Sequence, residues 1–180
     1  MIATPGPLSE LIIIQPTCFE DERGYFFESY NKKAYAAAGI SAEFVQDNQS
    51  KSQQNALRGL HLQNPPYEQG KLVYVIKGSV MDVAVDIRKS SPTYGKHFLI
   101  ELNEHNKSML WIPPGFAHGF LTLENNTVFC YKCTGFYNKE AEAGILWNDP
   151  QLNIPWNVEH PILSEKDQKL PLFKDFISLF

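Results

Sequence analysis

Four side chains in this sequence have the chemistry to bind a metal ion. His61, Gln63 and Glu68 lie close together, and His118 follows the turn-forming run Pro113–Gly115. Protein sites for divalent transition metals are usually built from His, Cys, Asp and Glu, whereas an amide such as Gln63 is a weak, neutral ligand. We therefore expect no metal centre, although His61, Glu68 and His118 would still offer ligands to one. The alternative is that His61 transfers protons, since histidine titrates near neutral pH.

The composition suits one folded domain over residues 1–180. Hydrophobic residues make up 43% of the chain and aromatic residues 13%, which allows a substantial core and excludes a disordered protein. The formal charge of −4 disfavours nucleic acid as a partner, because proteins that bind phosphate backbones carry basic surfaces. A few well-placed Arg and Lys side chains would still suffice for an anionic small molecule.

The cysteines indicate neither a disulfide framework nor a metal site. Cys130 and Cys133 form a CxxC pair inside the strand-like run Thr127–Cys133, and residues three apart point to opposite faces of a strand. Together with Cys18 they are expected to be free thiols. The apolar run Leu11–Ile14 is short and has no basic leader, so we expect a cytoplasmic protein that does not bind membranes.

Short strand-like runs separated by turn residues predict an all-β sandwich or small barrel. One short helix is expected at Asn31–Ala38, with Asn31 as N-cap and Gly39 as stop. The final, proline-rich part of the chain is expected to wrap the barrel, with a terminal helix at Lys169–Phe180. The predicted strands are Leu11–Gln15, Gly24–Ser29, Phe44–Gln49, Leu57–Gln63, Lys71–Lys77, Val80–Ile87, Lys96–Leu102, Ser108–Ile112, Phe120–Leu123 and Thr127–Cys133.

Alternation along these strands predicts which side chains share a face. Lys71 falls on a face that is otherwise apolar, and His61 shares a face with Gln63. Strict alternation would turn Arg58 away from His61. A bulge at Gly59 would instead bring Arg58 round to the same side.

Two segments, around His61 and His118, resemble the two sequence motifs of the cupin barrels. The likeness becomes specific over nearly the whole chain, which resembles the dTDP-4-dehydrorhamnose 3,5-epimerase family. The motifs are Phe19-x-Asp21-x-Arg23-Gly24-x-Phe26-x-Glu28, Phe44-Val-Gln46-Asp-Asn48-x-Ser50, Leu57-Arg58-Gly-Leu-His61-x-Gln63, Gln69-Gly-Lys71-Leu-Val, Asp82-Val-Ala-Val-Asp86-Ile-Arg88, Trp111-Ile-Pro-x-Gly-Phe-Ala-His118-Gly-Phe, Tyr131-Lys, Ile145-Leu-Trp-Asn-Asp149-Pro and Leu163-Ser-x-Lys-Asp167.

The resemblance implies a single metal-free, cofactor-free cupin jelly roll that usually forms a homodimer. It implies epimerisation of dTDP-4-dehydro-6-deoxy-D-glucose at C3 and C5, in dTDP-L-rhamnose synthesis. His61 matches the family's base and Asp167 its carboxylate partner. Lys71 would stabilise the enolate by its charge, and Tyr131 matches the acid that returns the proton.

The family resemblance also implies a set of substrate contacts. Arg23 and Arg58 would contact the diphosphate, and Phe26 and Glu28 would reach the thymidine of a neighbouring protomer. The other contacts are three polar residues of one strand, Gln46, Asn48 and Ser50, and a pocket histidine, His118. Asp82 and Arg88 are expected to be structural supports. Where many members of the family have Tyr-Tyr, this chain has Phe136-Tyr137, which removes one hydroxyl near the nucleotide.

Three other functions stay open at this point. The first is a related epimerase that inverts only one carbon. The second is a metal-dependent cupin oxygenase that uses His61, Glu68 and His118, and the third is a non-catalytic binder of sugar nucleotides.

Overall fold

A computed structural model describes all residues from 1 to 180 as an almost entirely β protein with one short α-helix, α1 at Lys32–Ala37. The strands are β1 (Ile2–Pro5), β2 (Ile12–Gln15), β3 (Phe19–Asp21), β4 (Gly24–Phe26), β5 (Gln46–Ser52), β6 (Leu57–Gln63), β7 (Lys71–Lys77), β8 (Ser79–Asp86), β9 (His97–Asn103), β10 (Met109–Ile112), β11 (Phe116–Thr122), β12 (Thr127–Cys133) and β13 (Glu142–Gly144). No helix has the length and apolar character needed to cross a bilayer.

Two antiparallel sheets form the jelly roll predicted from the sequence. One has the order β1-β2-β10-β7-β12-β5, and the other has the order β13-β6-β11-β8-β9. Strands β3 and β4 form a separate hairpin. Non-consecutive strands lie side by side in both sheets, as expected when the chain winds between them.

The apolar residues form three layers because the central strands alternate between two buried faces. On β8, Val80 and Ala84 join the cluster between the sheets, where they meet Val73 and Val75 of β7. The opposite face of β8 packs against the C-terminal segment, whose contributions include Leu152, Trp156 and Phe173. The predicted C-terminal wrap is therefore confirmed.

The predicted helix and its ends are also confirmed. The side chain of Asn31 accepts hydrogen bonds from the backbone N–H groups of Lys33 and Ala34, at 3.0 and 3.2 Å. Gly39 ends the helix with a φ of 91°, in the left-handed region that glycine tolerates. Tyr35 anchors the helix on the outer face of the six-stranded sheet.

The predicted helix at Lys169–Phe180 is wrong. The region contains only two 3₁₀ turns, Asp167–Lys169 and Phe173–Asp175. Pro171 explains the break, because proline lacks an N–H and keeps the preceding residue extended. The end of the chain instead pairs with the barrel, where Lys89 N–H donates to Phe180 O at 3.1 Å.

Strand bounds show where the sequence pattern was weakest. Strands β6, β7 and β12 match their predicted bounds, whereas β1, β3 and β13 were missed. Strand β11 begins four residues before the predicted Phe120, because its first residues leave the Pro-Pro-Gly turn already in the ladder with β8. The three cysteines are free, as predicted.

Arg88 is a structural support, as the sequence suggested. Its guanidinium donates to both oxygens of the buried Asp86, at 2.9 and 2.8 Å. Burial raises the pKa of Asp86, but hydrogen bonds from Arg88, Ser91 and Thr93 outweigh it and lower that pKa to about 2. This network fixes the turn that follows β8.

A bulge in β6 is the local feature that matters most for the site. His61 pairs with His118 and Arg58 with Phe120, so β6 carries one residue more than β11 over this stretch. Gly59 lies there with a φ of 131°, and a Cβ at this position would be 2.5 Å from Gly119 Cα. Of the two alternatives that the sequence left open, strict alternation or a bulge at Gly59, the structure shows the bulge.

Candidate active site

A cavity of about 480 Å³ opens into the barrel, and the four residues predicted to be catalytic, His61, Lys71, Tyr131 and Asp167, line it. His61, Lys71 and Tyr131 line both this cavity and a smaller one of about 290 Å³, so the two are lobes of one site. Strands β6, β7 and β12 supply these three side chains, while the C-terminal segment supplies Asp167. The sequence-distant groups are therefore neighbours in space.

His61 and Asp167, 106 positions apart, form a hydrogen bond of 2.6 Å between Nε2 and Oδ1. Two backbone bonds dock the C-terminal segment beside β6, from Leu57 N–H to Ile162 O at 3.0 Å and from Ile162 N–H to Asn55 O at 2.7 Å. The Asp167 side chain is only 5% exposed, whereas the His61 side chain is 29% exposed towards the cavity. One ring nitrogen is thus held by the protein, and the other faces open space.

Asp167 is kept ionised by its surroundings. Burial by itself raises the pKa of this carboxyl, but the hydrogen bond and the charge of His61 outweigh it and bring the pKa below its ordinary value. The backbone of Gly59 and the Ser164 side chain add to the lowering. An ionised carboxylate on one imidazole nitrogen fixes the tautomer of the ring and favours its protonated form.

Lys71 brings a cation to the wall between the two lobes. Its ammonium nitrogen lies 5.9 Å from the centre of the Tyr131 ring. Burial lowers the pKa of Lys71, and the negative charges of Asp82 and Glu142 act in the opposite direction. A charge held in such surroundings acts on a bound anion more strongly than it would in water.

Tyr131 presents its phenol to the same space from β12, where it pairs with Val73 on one side and Asn48 on the other. Burial raises the pKa of Tyr131. The phenol therefore keeps its proton at neutral pH and remains a proton donor.

His118 is paired with Asp82 inside the barrel, with 2.8 Å between Nε2 and Oδ2. The ring is also stacked on Phe129, with the ring centres 6.1 Å apart. The other oxygen of Asp82, Oδ1, is buried and has no hydrogen-bond partner in the chain. This unpaired carboxylate oxygen lies on the side of β8 that faces β7, the strand of Lys71.

Polar residues of β5 and Arg58 line the lobes from the other side. Gln46 and Asn48 lie in the smaller lobe, and Ser50 lies in the larger lobe with a buried hydroxyl that has no partner. These three share one face of the strand, as predicted from their spacing. Arg58 lies in the larger lobe and donates to Ser52 Oγ at 3.2 and 3.1 Å.

Three predicted contacts lie outside both lobes. Arg23 is 86% exposed and pairs with Asp21 at 2.6 Å, and Phe26 on the same hairpin is 69% exposed. Glu28 accepts a hydrogen bond from Asn31 Nδ2 at 2.9 Å. The chain therefore does not bring these residues to its own cavity.

A sequence model of the dTDP-4-dehydrorhamnose 3,5-epimerase family matches residues 5–175. The chain belongs to this family. A dTDP-4-dehydrorhamnose 3,5-epimerase of Shigella flexneri is 54% identical to it over 161 residues, which cover 89% of either chain. The crystal structure of the enzyme from Elizabethkingia anophelis NUHP1 aligns with a TM-score of 0.92 at 50% identity and covers 97% of both chains.

A second solved structure bears on the ligand. The dTDP-6-deoxy-D-glucose-3,5-epimerase of Legionella pneumophila Philadelphia 1, in complex with dTDP-4-keto-L-rhamnose, aligns with a TM-score of 0.93 at 46% identity. The alignment covers 98% of this chain and 94% of that one. The chain is thus an isomerase of the epimerase family.

In this member of the epimerase family, the candidate metal ligands do not converge. Gln63 uses its amide for backbone groups, and Glu68 lines neither lobe. No three His, Cys, Asp or Glu residues come together as a metal-binding group. The side chains therefore give no support to the metal-dependent oxygenase.

The sequence analysis missed Glu142 and Lys166, which line the lobes of this epimerase, and gave Tyr137 no contact of its own. Tyr137 lies in the smaller lobe and donates through its hydroxyl to Glu142 Oε2 at 3.0 Å, while Lys166 in the larger lobe pairs with Glu142. Lys166 directly precedes the predicted site residue Asp167, and this position could have indicated that it lies near the site. Glu142 gave no such signal, because β13 is three residues long.

Proposed function

We propose that the protein epimerises dTDP-4-dehydro-6-deoxy-D-glucose at C3 and C5 to dTDP-4-dehydro-L-rhamnose without a cofactor. The observation that carries this proposal is the His61–Asp167 pair next to Lys71 and Tyr131 in one cavity. Membership of the epimerase family supports the substrate and the reaction.

Proton removal falls to His61. A hydrogen on carbon next to a ketone is only weakly acidic, so its removal needs a base that is held within hydrogen-bond reach. The exposed ring nitrogen of His61 faces the cavity, and Asp167 stabilises the imidazolium that forms. Each inverted carbon would require one such abstraction, so His61 must release its proton to solvent, and Tyr131 must regain one from solvent, before the second carbon reacts.

Lys71 stabilises the negative charge that develops on the C4 oxygen. An ammonium group held at the wall of the cavity stabilises an enolate without reorganising in the transition state. Burial lowers the pKa of Lys71, and the negative charges of Asp82 and Glu142 oppose that lowering without cancelling it.

Reprotonation falls to Tyr131. Inversion requires the proton to return to the face of the sugar opposite the base, and the Tyr131 phenol is the protonated acid at the wall shared by both lobes. Once its proton is given up, the phenolate beside the Lys71 ammonium is stabilised by their attraction.

The nucleotide is proposed to bind through the polar residues around the chemistry. Arg58 and His118 offer donors to the diphosphate, and Ser50 offers an unpaired hydroxyl. Gln46 and Asn48 offer amides in the smaller lobe. Two exposed rings at its edge, Phe136 and Tyr137, suit a base that stacks.

A homodimer is proposed to complete the site. Arg23, Phe26 and Glu28 lie outside the chain's own cavity, on or beside an exposed hairpin with further aromatic residues at Phe19 and Tyr25. We propose that this hairpin contributes Arg23, Phe26 and Glu28 to the site of the neighbouring protomer. We also propose a single-domain, cytoplasmic protein that binds neither nucleic acid nor membranes.

NMR of the purified protein with dTDP-4-dehydro-6-deoxyglucose in D2O tests the reaction. Deuterium should enter at both C3 and C5, and the rate should be unchanged after treatment with a chelator. Deuterium at one carbon only would indicate a single-site epimerase. Loss of turnover on chelation would indicate a metal enzyme, and binding without exchange would indicate a non-catalytic binder.

A further inference from the structure

Gln63 lines the smaller lobe of the proposed site and takes no part in the proton chemistry. It is the last residue of β6, and its side chain is buried. The amide nitrogen donates to Tyr67 O at 2.6 Å and to Phe136 O at 3.2 Å, while the amide oxygen accepts from Asn138 N–H at 2.7 Å. One side chain thus joins two loops to the strand that carries the proposed base.

Two of these bonds flank Tyr137. The N–H of Tyr137 itself donates to Gln46 Oε1 at 3.0 Å. Three consecutive residues, 136 to 138, are therefore held by the amides of two glutamines from different strands. The segment between β12 and β13 contains no helix or strand of its own, so these bonds replace the ladder that would otherwise fix it.

The two rings of this segment are not fixed by a core. Phe136 and Tyr137 are 71% and 56% exposed, and Tyr137 is anchored at its tip by the bond to Glu142. The direction in which the rings face depends on the backbone between β12 and β13. That backbone is set at its centre by Gln63 and Gln46.

The bonding pattern selects glutamine at position 63. The two carbonyl partners require two N–H donors, and the Asn138 N–H requires an acceptor. A carboxylate provides only acceptors, and a neutral imidazole provides one donor and one acceptor. Asparagine has the right groups but is one methylene shorter.

We propose that Gln63 is a positioning residue that holds the Phe136–Tyr137 segment so that its rings form the stacking surface for the nucleotide base. The inference deepens the proposed function and rests on it. The inference also explains why position 63 has a glutamine where a metal site would have a histidine, because the amide of Gln63 fixes a loop.

Direct binding of dTDP, measured by calorimetry, tests the inference together with kcat and KM for the keto sugar nucleotide. Gln63→Glu keeps the acceptor but places a carboxylate against two carbonyl oxygens, and Gln63→Met removes all three bonds. Both variants are expected to raise the Kd for dTDP and the KM about tenfold, with kcat within about twofold of the original value. A fall in kcat with an unchanged Kd would overturn the inference.

A mutant cycle with the Phe136→Ala/Tyr137→Ala pair separates positioning from general destabilisation. If Gln63 acts through these two rings, Gln63→Glu should weaken dTDP binding no further once both are alanine. Additive losses in the two variants would contradict the inference. Trp156→Phe is the matched control, because it removes one side-chain bond to backbone, to Trp147 O at 2.8 Å, outside both lobes. It should lower the melting temperature and leave the Kd unchanged.

The binding measurement also separates this inference from the reaction proposed above. If dTDP binds and Gln63→Glu weakens it, while no deuterium exchange occurs, the positioning role stands and the reaction is wrong. If the unaltered protein binds no dTDP, both are overturned.

Discussion

The barrel contains two His–Asp pairs whose bond lengths are nearly the same and whose surroundings differ. His61 and Asp167 are 2.6 Å apart, and His118 and Asp82 are 2.8 Å apart. The second pair joins neighbouring strands of one sheet and is almost completely buried, with His118 stacked on Phe129 and only its edge lining the larger lobe. The first joins a strand to a distant segment and leaves the imidazole open to the cavity.

This difference shows that a short His–carboxylate bond does not by itself mark a base. A base needs one ring nitrogen free to meet a substrate, and that access depends on what covers the ring. His61 has such access, because its partner approaches from the rim on a separate segment. His118 is fixed by a fully buried carboxylate, so orientation of a bound group is the role that suits it.

The largest expected effect is at the open pair. His61→Ala should lower kcat by about 10³-fold or more, since it removes the base, while dTDP binding stays near its original strength. His118→Ala should weaken binding and keep measurable exchange. Steady-state kinetics and calorimetry on both variants decide the matter. Equal losses of kcat would mean that the two histidines share the chemistry.

Asp167→Asn should have the next largest effect. The amide no longer favours the imidazolium and can hold the ring in the wrong tautomer, so kcat is expected to fall by about 10² to 10⁴-fold. The KM should change little. Deuterium exchange at C3 and C5 provides the measurement, and unaltered exchange would remove Asp167 from the mechanism.

Asp82→Asn should affect stability more than it affects the chemistry. The variant leaves a buried amide where a carboxylate bonded to His118, which should cost about 1–3 kcal/mol of unfolding free energy. Because the charge of Asp82 also favours protonated Lys71, the alkaline limb of the kcat profile should move to lower pH. Denaturant melts and a pH series test both parts. A stable variant with an unshifted profile would contradict them.

The smallest expected effect is in acid. The pKa of Asp167 is lowered in the folded protein, so its contribution to stability is fully present above the unfolded value near 3.8 and is lost as the pH falls through the lower folded value. As the pH falls from about 6 to about 3, the free energy of unfolding of Asp167→Asn should therefore decrease less than that of the unaltered protein. Denaturant unfolding at each pH measures this difference, and an equal loss would argue against the lowered pKa.

Local sequence patterns predicted most strands and which of their side chains share a face, because side chains alternate between the two faces of a strand. They predicted Lys71 on the apolar face of β7, but they left open whether β6 has a bulge at Gly59. Asp167 was different, because nothing in its own neighbourhood indicates a partner 106 positions away. Only the family resemblance linked the two residues before the fold was known.

The misses have physical causes as well. Glu142 lies on a three-residue strand that exists only because β6 offers it a ladder. The terminal helix failed because one proline outweighed the helical preference of its neighbours. Tertiary partners decide such segments, and a single sequence contains no information about them.

The contact between Gly59 and Gly119 ties the placement of an anion-binding guanidinium to that of a base. A Cβ on either residue would run into the backbone of the adjacent strand, at 2.5 Å for Gly59 and 2.8 Å for Gly119. Relief of that clash would pull the strands apart and alter the spacing between Arg58 and His61. One added methyl group, on a residue that lines neither lobe, would thus change where the ligand is bound relative to where it reacts.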